Sequence, residues 1–508
     1  MTSLIIPWCI LSPILASFGI FLTRKSKNLR EGVTLTTAVF LFILVYILFK
    51  SFLNGEKLSW LAFEMLPGLN IAFEIEPLGL FFALVASSLW ILTSIYAIGY
   101  MRGHEEKNQT RFYICFAIAI GSTIGISFSS NLLTLFIFYE ILTVSTFPLV
   151  THSGTDKAKR AGRIYLGILL GTSVCLLLVA IIWTWILTGT LDFTQGGIFK
   201  DHVDETVVTI LLMMFVFGVG KAAIMPFHHW LPSAMVAPTP VSALLHAVAV
   251  VKAGVFTILK ISIYIFGLDY LREIESSQWL QFVACVTILV GSLIALTKDN
   301  LKARLAYSTV SQLSYIVLAA MMANELAALG GAMHIAMHAF GKITLFFCAG
   351  SILVATHYTE VSQMQGLGRK MPITFFCFLI GSLSIIGLPP FGGLWSKWFI
   401  LLGAAEGLNL FFIFVLITSS LLNVGYLISI VVRGFFSNYE VSGNKKTVSA
   451  SPSFNKKILL LRNSTRFMKF TEAPLFCIIA TCSTGIGCFL LFFSGDFIYQ
   501  FLLLIFRN

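Results

Sequence analysis

Six charges lie deep in stretches of this sequence that are otherwise apolar: Glu140, Lys221, Lys252, Lys260, Lys342 and Lys397. An ionised side chain at the centre of a lipid-facing helix costs at least about 2.5–3.5 kcal/mol, so each is expected to face protein or water and to act there. The chemistry these groups share is the uptake and release of a proton. Glu140, in Phe-Tyr-Glu-Ile-Leu, and Lys221, in Gly-Lys-Ala-Ala-Ile-Met-Pro, sit on different stretches and invite pairing. The pair reads either as a static tie between two helices or as a switch, in which the carboxylate keeps the lysine charged and separation lets it release a proton. Lys260 falls near the end of its stretch, where its long stem is expected to snorkel to water.

Histidines extend the set. His334, His338 and Lys342 are spaced i, i+4, i+8, so on a helix they form one polar stripe with steps of about 6 Å. Imidazole accepts on one nitrogen and donates from the other, which makes the stripe a proton wire; plain hydrogen bonding to serines and backbone of neighbouring helices is the alternative. His246 precedes Lys252 by six residues. Six residues turn an ideal helix by about 600°, which places the two side chains about 120° apart and facing different neighbours. His246 alone reads as a satisfied core residue, whereas a mid-helix lysine followed by Ala-Gly reads as functional.

The elements that must position these residues are membrane helices. Of 508 residues 57% are hydrophobic, 11% are charged and 47 are Phe, more apolar surface than a soluble core can hide. Apolar stretches long enough for a bilayer core of about 30 Å recur along the chain. They predict fourteen spans, at 1–22, 33–53, 77–99, 112–129, 131–150, 162–190, 206–228, 239–265, 276–297, 305–321, 325–352, 373–405, 408–432 and 473–504. The first is expected to stay as a helix, because Arg24, Lys25, Lys27 and Arg30 follow its apolar run where a cleaved signal would have them before it. Lys and Arg concentrate in the odd-numbered loops and Asp and Glu in the even-numbered ones, which predicts odd loops in the cytoplasm and both termini outside. The net charge of +11 therefore calls for no nucleic acid; its largest cluster, in the segment 433–472, reads as a basic strip at the membrane surface. Nine cysteines show no Cys-x-x-Cys pair or metal spacing, and no nucleotide, iron–sulfur or haem motif is present. No cofactor, metal, redox or hydrolytic chemistry is expected within this chain.

Two spans cannot be continuous helices. The seventh runs into Pro226, Pro232, Pro238 and Pro240, and the twelfth is interrupted by Gly-Leu-Pro-Pro-Phe-Gly-Gly, with Pro389 and Pro390. Irregular backbone at membrane depth survives only where protein or water satisfies it, and paired interruptions in two halves point to an ion site. Five spans separate seven from twelve, and an odd offset inverts topology. The expected architecture is an all-α membrane protein with two inverted five-helix repeats, spans 4–8 (111–265) and 9–13 (276–432). These are flanked by an N-terminal unit (1–110), the basic loop (433–472) and a final helix (473–508).

Phe-Tyr-Glu-Ile-Leu, the long segment from Gly220 to Ala247, Asp-Asn-Leu-Lys-Ala-Arg-Leu-Ala-Tyr-Ser-Thr-Val-Ser-Gln and Gly-Leu-Pro-Pro-Phe-Gly-Gly-Leu-Trp-Ser-Lys closely resemble the antiporter-like subunits. That family comprises the large membrane subunits of respiratory complex I and of Mrp-type multisubunit Na⁺/H⁺ antiporters. The resemblance spans roughly residues 70 to 435. It implies a proton path through Glu140, Lys221, Lys252, His334, His338, Lys342 and Lys397, with His228 and His246 secondary. For the charged turn at Asp299, Lys302 and Arg304 it implies a structural or gating role. It further implies fourteen helices, partner membrane subunits and exchange of protons for Na⁺ or K⁺ in a bacterial cytoplasmic membrane. Val-Val-Lys-Ala-Gly and Leu-Trp-Ser-Lys-Trp-Phe look most like the Mrp D subunit, with a proton-pumping complex I subunit as the alternative.

Overall fold

The computed structural model describes residues 2–199, 203–437 and 471–507, so most of the basic loop 433–472 lies outside the described residues. The longer helices are α1 (Thr2–Leu22), α2 (Lys27–Leu53), α3 (Pro77–Gly103), α4 (Gln109–Phe128), α5 (Leu132–Val150), α6 (Asp156–Thr188) and α7 (Glu205–Gly218). They continue as α8 (Thr239–Phe266), α9 (Glu275–Thr297), α10 (Leu301–Met321), α11 (Glu325–Thr356), α12 (Pro372–Ile386) and α13 (Gly393–Glu406). The last three are α14 (Leu410–Phe436), α15 (Leu475–Phe493) and α16 (Gly495–Arg507).

Among the described residues eleven helices are long and apolar enough to cross a membrane. The three remaining expected spans are α7, α10 and the α12–α13 pair. These are the two interrupted helices and the one helix whose inner faces are lined with Ser, Thr, Gln and Tyr. α10 can be polar because other helices enclose nearly all of it, whereas α7, α12 and α13 each keep an exposed apolar face. At the centre α8 is buried throughout the stretch that would cross the bilayer, and α11 packs along it.

The two repeats are tied in the same way. α5 and α10 each begin at an asparagine, Asn131 and Asn300, whose side-chain oxygen accepts from the backbone N–H three residues on, at 2.8 and 3.1 Å. The first helical N–H of each is taken by a distant loop: Leu132 N–H donates to Leu191 O at 3.0 Å, and Leu301 N–H to Thr359 O at 2.9 Å. Each repeat also carries its expected break: α12 stops at Ile386, just ahead of Pro389, but α7 stops at Gly218, eight residues before Pro226, so Lys221 lies in the break and not in the helix.

Two departures concern the ends of the chain. Residues 54–76, unassigned by a search for long apolar runs, form a hairpin of β1 (Ser59–Leu66) and β2 (Leu69–Glu74), with Trp60 stacked on Phe73 at 5.4 Å. The last span, expected as one helix over 473–504, is two. Gly495 lies against Trp395, whose indole N–H takes the Phe492 carbonyl at 2.8 Å, so the next helical turn cannot close on it.

The break in the first repeat is wedged against α8 at Gly254, where a Cβ would come within 2.4 Å of Ala222 N and 2.5 Å of Lys221 C. Gly254→Val is therefore expected to destabilise the fold by about 1–3 kcal/mol or more. Thermal unfolding in detergent checks this against Gly167→Ala, a site with no neighbour within 4 Å, which should unfold like the parent.

Candidate functional site

Lys221 is held by the interruption that follows α7. Val219 leaves the helix at φ −80°, ψ 62°, a single tight turn covers Gly220–Ala222, and Ala223 adopts a left-handed φ of 55°. The freed Gly220 carbonyl does not go unpaired, because Trp230 Nε1 donates to it at 3.0 Å. The turn drives the Lys221 side chain into α5. There its Nζ donates to Tyr139 O at 2.9 Å and to Thr143 Oγ1 at 2.6 Å, and lies over the Tyr139 ring.

Lys397, beyond the second interruption, is held by the same three kinds of group. Its Nζ donates to Ile386 O at 3.1 Å and to Ser420 Oγ at 3.1 Å, and stands 5.1 Å from the Tyr315 ring. Ile386 is the last residue of α12, so the cation sits at a helix C-terminus, the negative end of its dipole. A carbonyl, a hydroxyl and a tyrosine face thus form each cradle. None of these groups carries a full negative charge; the Glu140 carboxylate acts on Lys221 through its charge without touching it, whereas no carboxylate among the described residues does so at Lys397.

A connected set of side chains runs from Lys252 on α8 to the second cradle. Lys252 Nζ lies 2.6 Å from His338 Nδ1, the His338 and His334 rings are 5.5 Å apart, and His334 Nδ1 is 2.8 Å from Ser396 Oγ, the residue before Lys397. Tyr315 stacks on His334 at 5.8 Å and so touches both the stripe and the terminal lysine. Two full positive charges 2.6 Å apart would repel by about 6 kcal/mol at an effective dielectric of about 20. Lys252 and His338 therefore carry at most one excess proton between them, and when it is present either nitrogen can hold it. Lys342 turns the other way, donating to Ser308 Oγ at 2.5 Å, which also receives the Tyr426 hydroxyl at 2.7 Å.

Several expectations need correction. Glu140 does not meet Lys221: both of its carboxylate oxygens are buried without a hydrogen-bond partner, while Tyr139 and Thr143 on the same helix take the lysine. Helix α5 presents its 139 and 143 face to the break, and Glu140, one residue on, acts on Lys221 through its charge without a direct contact. Lys260 does not snorkel; it is buried and paired with Glu76 at 2.7 Å. His246 and Lys252 do not face different neighbours, since His246 packs on Phe346 at 4.7 Å and Lys252 on His338, both on α11. The ideal-helix rotation does not apply because α8 has a wide π-turn at Leu244–Val248 and a distorted Ala249 (φ −114°, ψ −74°). Among the secondary candidates His228 stacks on His229 at 4.1 Å, away from the axis. Asp299 accepts from Ser362 N–H at 3.0 Å and its hydroxyl at 2.6 Å, and Lys302 donates to Ala237 O at 2.6 Å. Arg304 donates to Lys298 O at 2.7 Å and Tyr426 O at 3.1 Å, so this turn ties the second repeat together. Sequence reasoning missed Glu76, Tyr139, Thr143, Tyr315, Ser396 and Ser420.

Comparison with known proteins places this geometry. Residues 129–423 match the family described as NADH:quinone oxidoreductase/Mrp antiporter, and residues 60–113 match the N-terminus of complex I chain 5. NADH-quinone oxidoreductase subunit N of Desulforudis audaxviator is 30% identical over 78% of this chain and 78% of its own length. The chloroplast NAD(P)H-quinone oxidoreductase subunit 5 of Chaetosphaeridium globosum is 31% identical over 91% of this chain and 72% of its own. For NAD(P)H-quinone oxidoreductase chain 5 of Synechocystis the figures are 33%, 65% and 49%, so this chain spans about half of that relative. Two solved structures share the fold. A chain of the Mrp complex from a Dietzia species has a TM-score of 0.79 at 19% identity, covering 100% of this chain and 96% of its own. A chain of an archaeal membrane-bound sulfane sulfur reductase has a TM-score of 0.77 at 22% identity, covering 98% and 99%.

The shared proton at Lys252 and His338 yields a direct test. His338→Gln keeps a side chain able to hydrogen-bond but removes the titrating imidazole. It is expected to lower proton flux through the assembled complex by about a hundredfold, within the usual range for loss of a positioned acid–base group, while assembly persists. Vesicle acidification followed by a pH-sensitive dye measures the flux, and a blue-native gel measures assembly.

Proposed function

The chain belongs to the family of antiporter-like membrane subunits shared by NADH:quinone oxidoreductases and Mrp antiporters, and we propose that it carries protons along the buried axis from Lys221 through Lys252, His338 and His334 to Lys397. The observation that supports this reading most is the Lys252–His338 contact of 2.6 Å, a shared-proton pair at the meeting of the two repeats. The second cradle allows Lys397 to change charge without stranding a counter-ion, while the first leaves Lys221 within reach of the Glu140 charge. Lys342, tied to Ser308 and Tyr426, adds a branch toward α10. Glu140, whose carboxylate has no partner within the described residues, belongs to the same path at its first end, where approach to Lys221 would hold that lysine charged.

The finer assignment follows the sequence features that resemble the Mrp D subunit. This chain acts with other membrane subunits to exchange cytoplasmic Na⁺ or K⁺ for outside protons, in a bacterial cytoplasmic membrane, with both termini outside. The fold shared with the Mrp complex chain is consistent with that assembly. A second reading makes it the proton-pumping arm of an NADH:quinone oxidoreductase, and the names of its relatives favour it.

Lys221→Ala is expected to abolish transport while leaving the subunit inserted, and normal transport would reject the proton-carrying reading. The two assemblies separate in a second experiment. Restoration of salt tolerance to an antiporter-deficient cell by the whole gene cluster supports exchange. Copurification with flavin and iron–sulfur polypeptides, without such restoration, supports the redox arm.

A further inference from the structure

Outside the axis, one buried acid–base pair is left without a role. Lys260 has a side chain only 1% exposed, and its Nζ lies 2.7 Å from Glu76 Oε1. That Nζ also donates to Ser129 O at 2.6 Å and faces the Phe193 ring at 4.4 Å. Glu76, at the residue before Pro77 where α3 begins, is 16% exposed. The lysine is thus sealed from water and its acid partner is not.

The surroundings place this pair at one face of the membrane. Four segments close over it: the end of the β-hairpin, the α4–α5 turn, the segment after α6, and the end of α8. They are laced by main-chain bonds. Ser130 N–H donates to Ala72 O at 3.1 Å, Phe193 N–H to Ser130 O at 3.0 Å, and Thr194 N–H to Tyr264 O at 3.1 Å. All four are even-numbered connections, which the distribution of basic residues assigns to the outside. Other titratable groups near the pair are Glu74 at the end of β2, the Tyr264 phenol lying against Glu76, and Asp192 beside Phe193.

Lys260 shares α8 with Lys252, eight residues and about 12 Å further along the axis. Midway stands Phe256, its ring 4.9 Å from that of Phe82 on α3. An aromatic ring cannot pass a proton, so the two lysines are separated here by an apolar plug.

We propose that Glu76 and Lys260 form the site through which the buried axis exchanges protons with the outside face, gated by the Phe256–Phe82 ring pair. This inference rests on the proton-carrying reading above. In the outward step the Lys260 ammonium gives one proton to the Glu76 carboxylate, leaving a neutral amine and a carboxylic acid. The acid then releases that proton to water at the face. When the Phe256 ring swings aside, the amine is recharged from Lys252. No electrons move, and charge is conserved at each transfer.

A static ion pair pinning the four segments would look the same in the structure, and Lys260→Arg separates the two roles. Arginine keeps the positive charge and the bond to Glu76 but does not give up its proton. In vesicles bearing the whole complex, this variant is expected to assemble normally. Its proton flux should fall about tenfold or more, and the rate should lose its dependence on the pH at the even-loop face. Wild-type flux with a wild-type pH profile overturns the proposal. Should the arginine variant fail to accumulate, Glu76→Gln takes its place with the same expected loss, and wild-type flux through it overturns the proposal equally. Lys252→Met in the same vesicles tells the two readings apart. Loss there with normal flux in Lys260→Arg removes the exit alone, whereas normal flux in Lys252→Met removes the proton-carrying reading beneath it.

Discussion

In hydrocarbon every main-chain polar group must find a partner inside the protein, and this constraint organises the molecule more than any other. An unbroken helix meets it alone; a broken one exposes carbonyls that something else must take. Here the takers are functional side chains. Lys397 bonds the last carbonyl of α12, Trp230 takes the Gly220 carbonyl freed where α7 stops, and Lys221 adds its charge to the Tyr139 carbonyl on α5. At the second interruption the break and the buried lysine solve each other's problem: the end of α12 supplies a dipole for a cation that lipid would reject, and Lys397 satisfies a carbonyl that lipid would not tolerate.

The same constraint explains why the helices that carry the central lysine and histidines are innermost. α8 and α11, with Lys252, His334 and His338, are enclosed by other helices, and only their enclosure lets these residues sit at membrane depth. Their packing is close. Gly254 on α8 meets the Lys221 backbone, and Gly330 on α11 would place a Cβ 2.6 Å from Ile400 N on α13. α8 is thereby pressed onto the first interruption and α11 onto α13, the helix that follows the second.

Much of this was legible in the sequence. Charges within apolar runs named Lys221, Lys252 and Lys397, helical spacing named His334 and His338, and the prolines located the second interruption and came within eight residues of the first. What failed did so for identifiable reasons. Partner choice depends on how helices are rotated, which spacing does not encode, so Glu140 was assigned to a lysine that Tyr139 and Thr143 hold. Rotation arithmetic assumes a uniform helix, and α8 is not one. Hydroxyls in helices usually bond their own backbone, as many do here, so Ser396 and Ser420 carried no signal. Glu76 looked like a loop acid ahead of a helix-starting proline, and only the fold of the hairpin end shows that it covers Lys260.

The matched asparagine turns carry an implication for descent. A five-helix unit able to insert either way up would, as a pair of identical copies, reproduce both interruptions and both asparagine turns by symmetry alone. The histidines break that equivalence, since α11 carries His334 and His338 while its counterpart α6 has no histidine. The two halves have therefore ceased to be interchangeable, and the molecule has acquired a handedness along its length that its backbone symmetry does not impose.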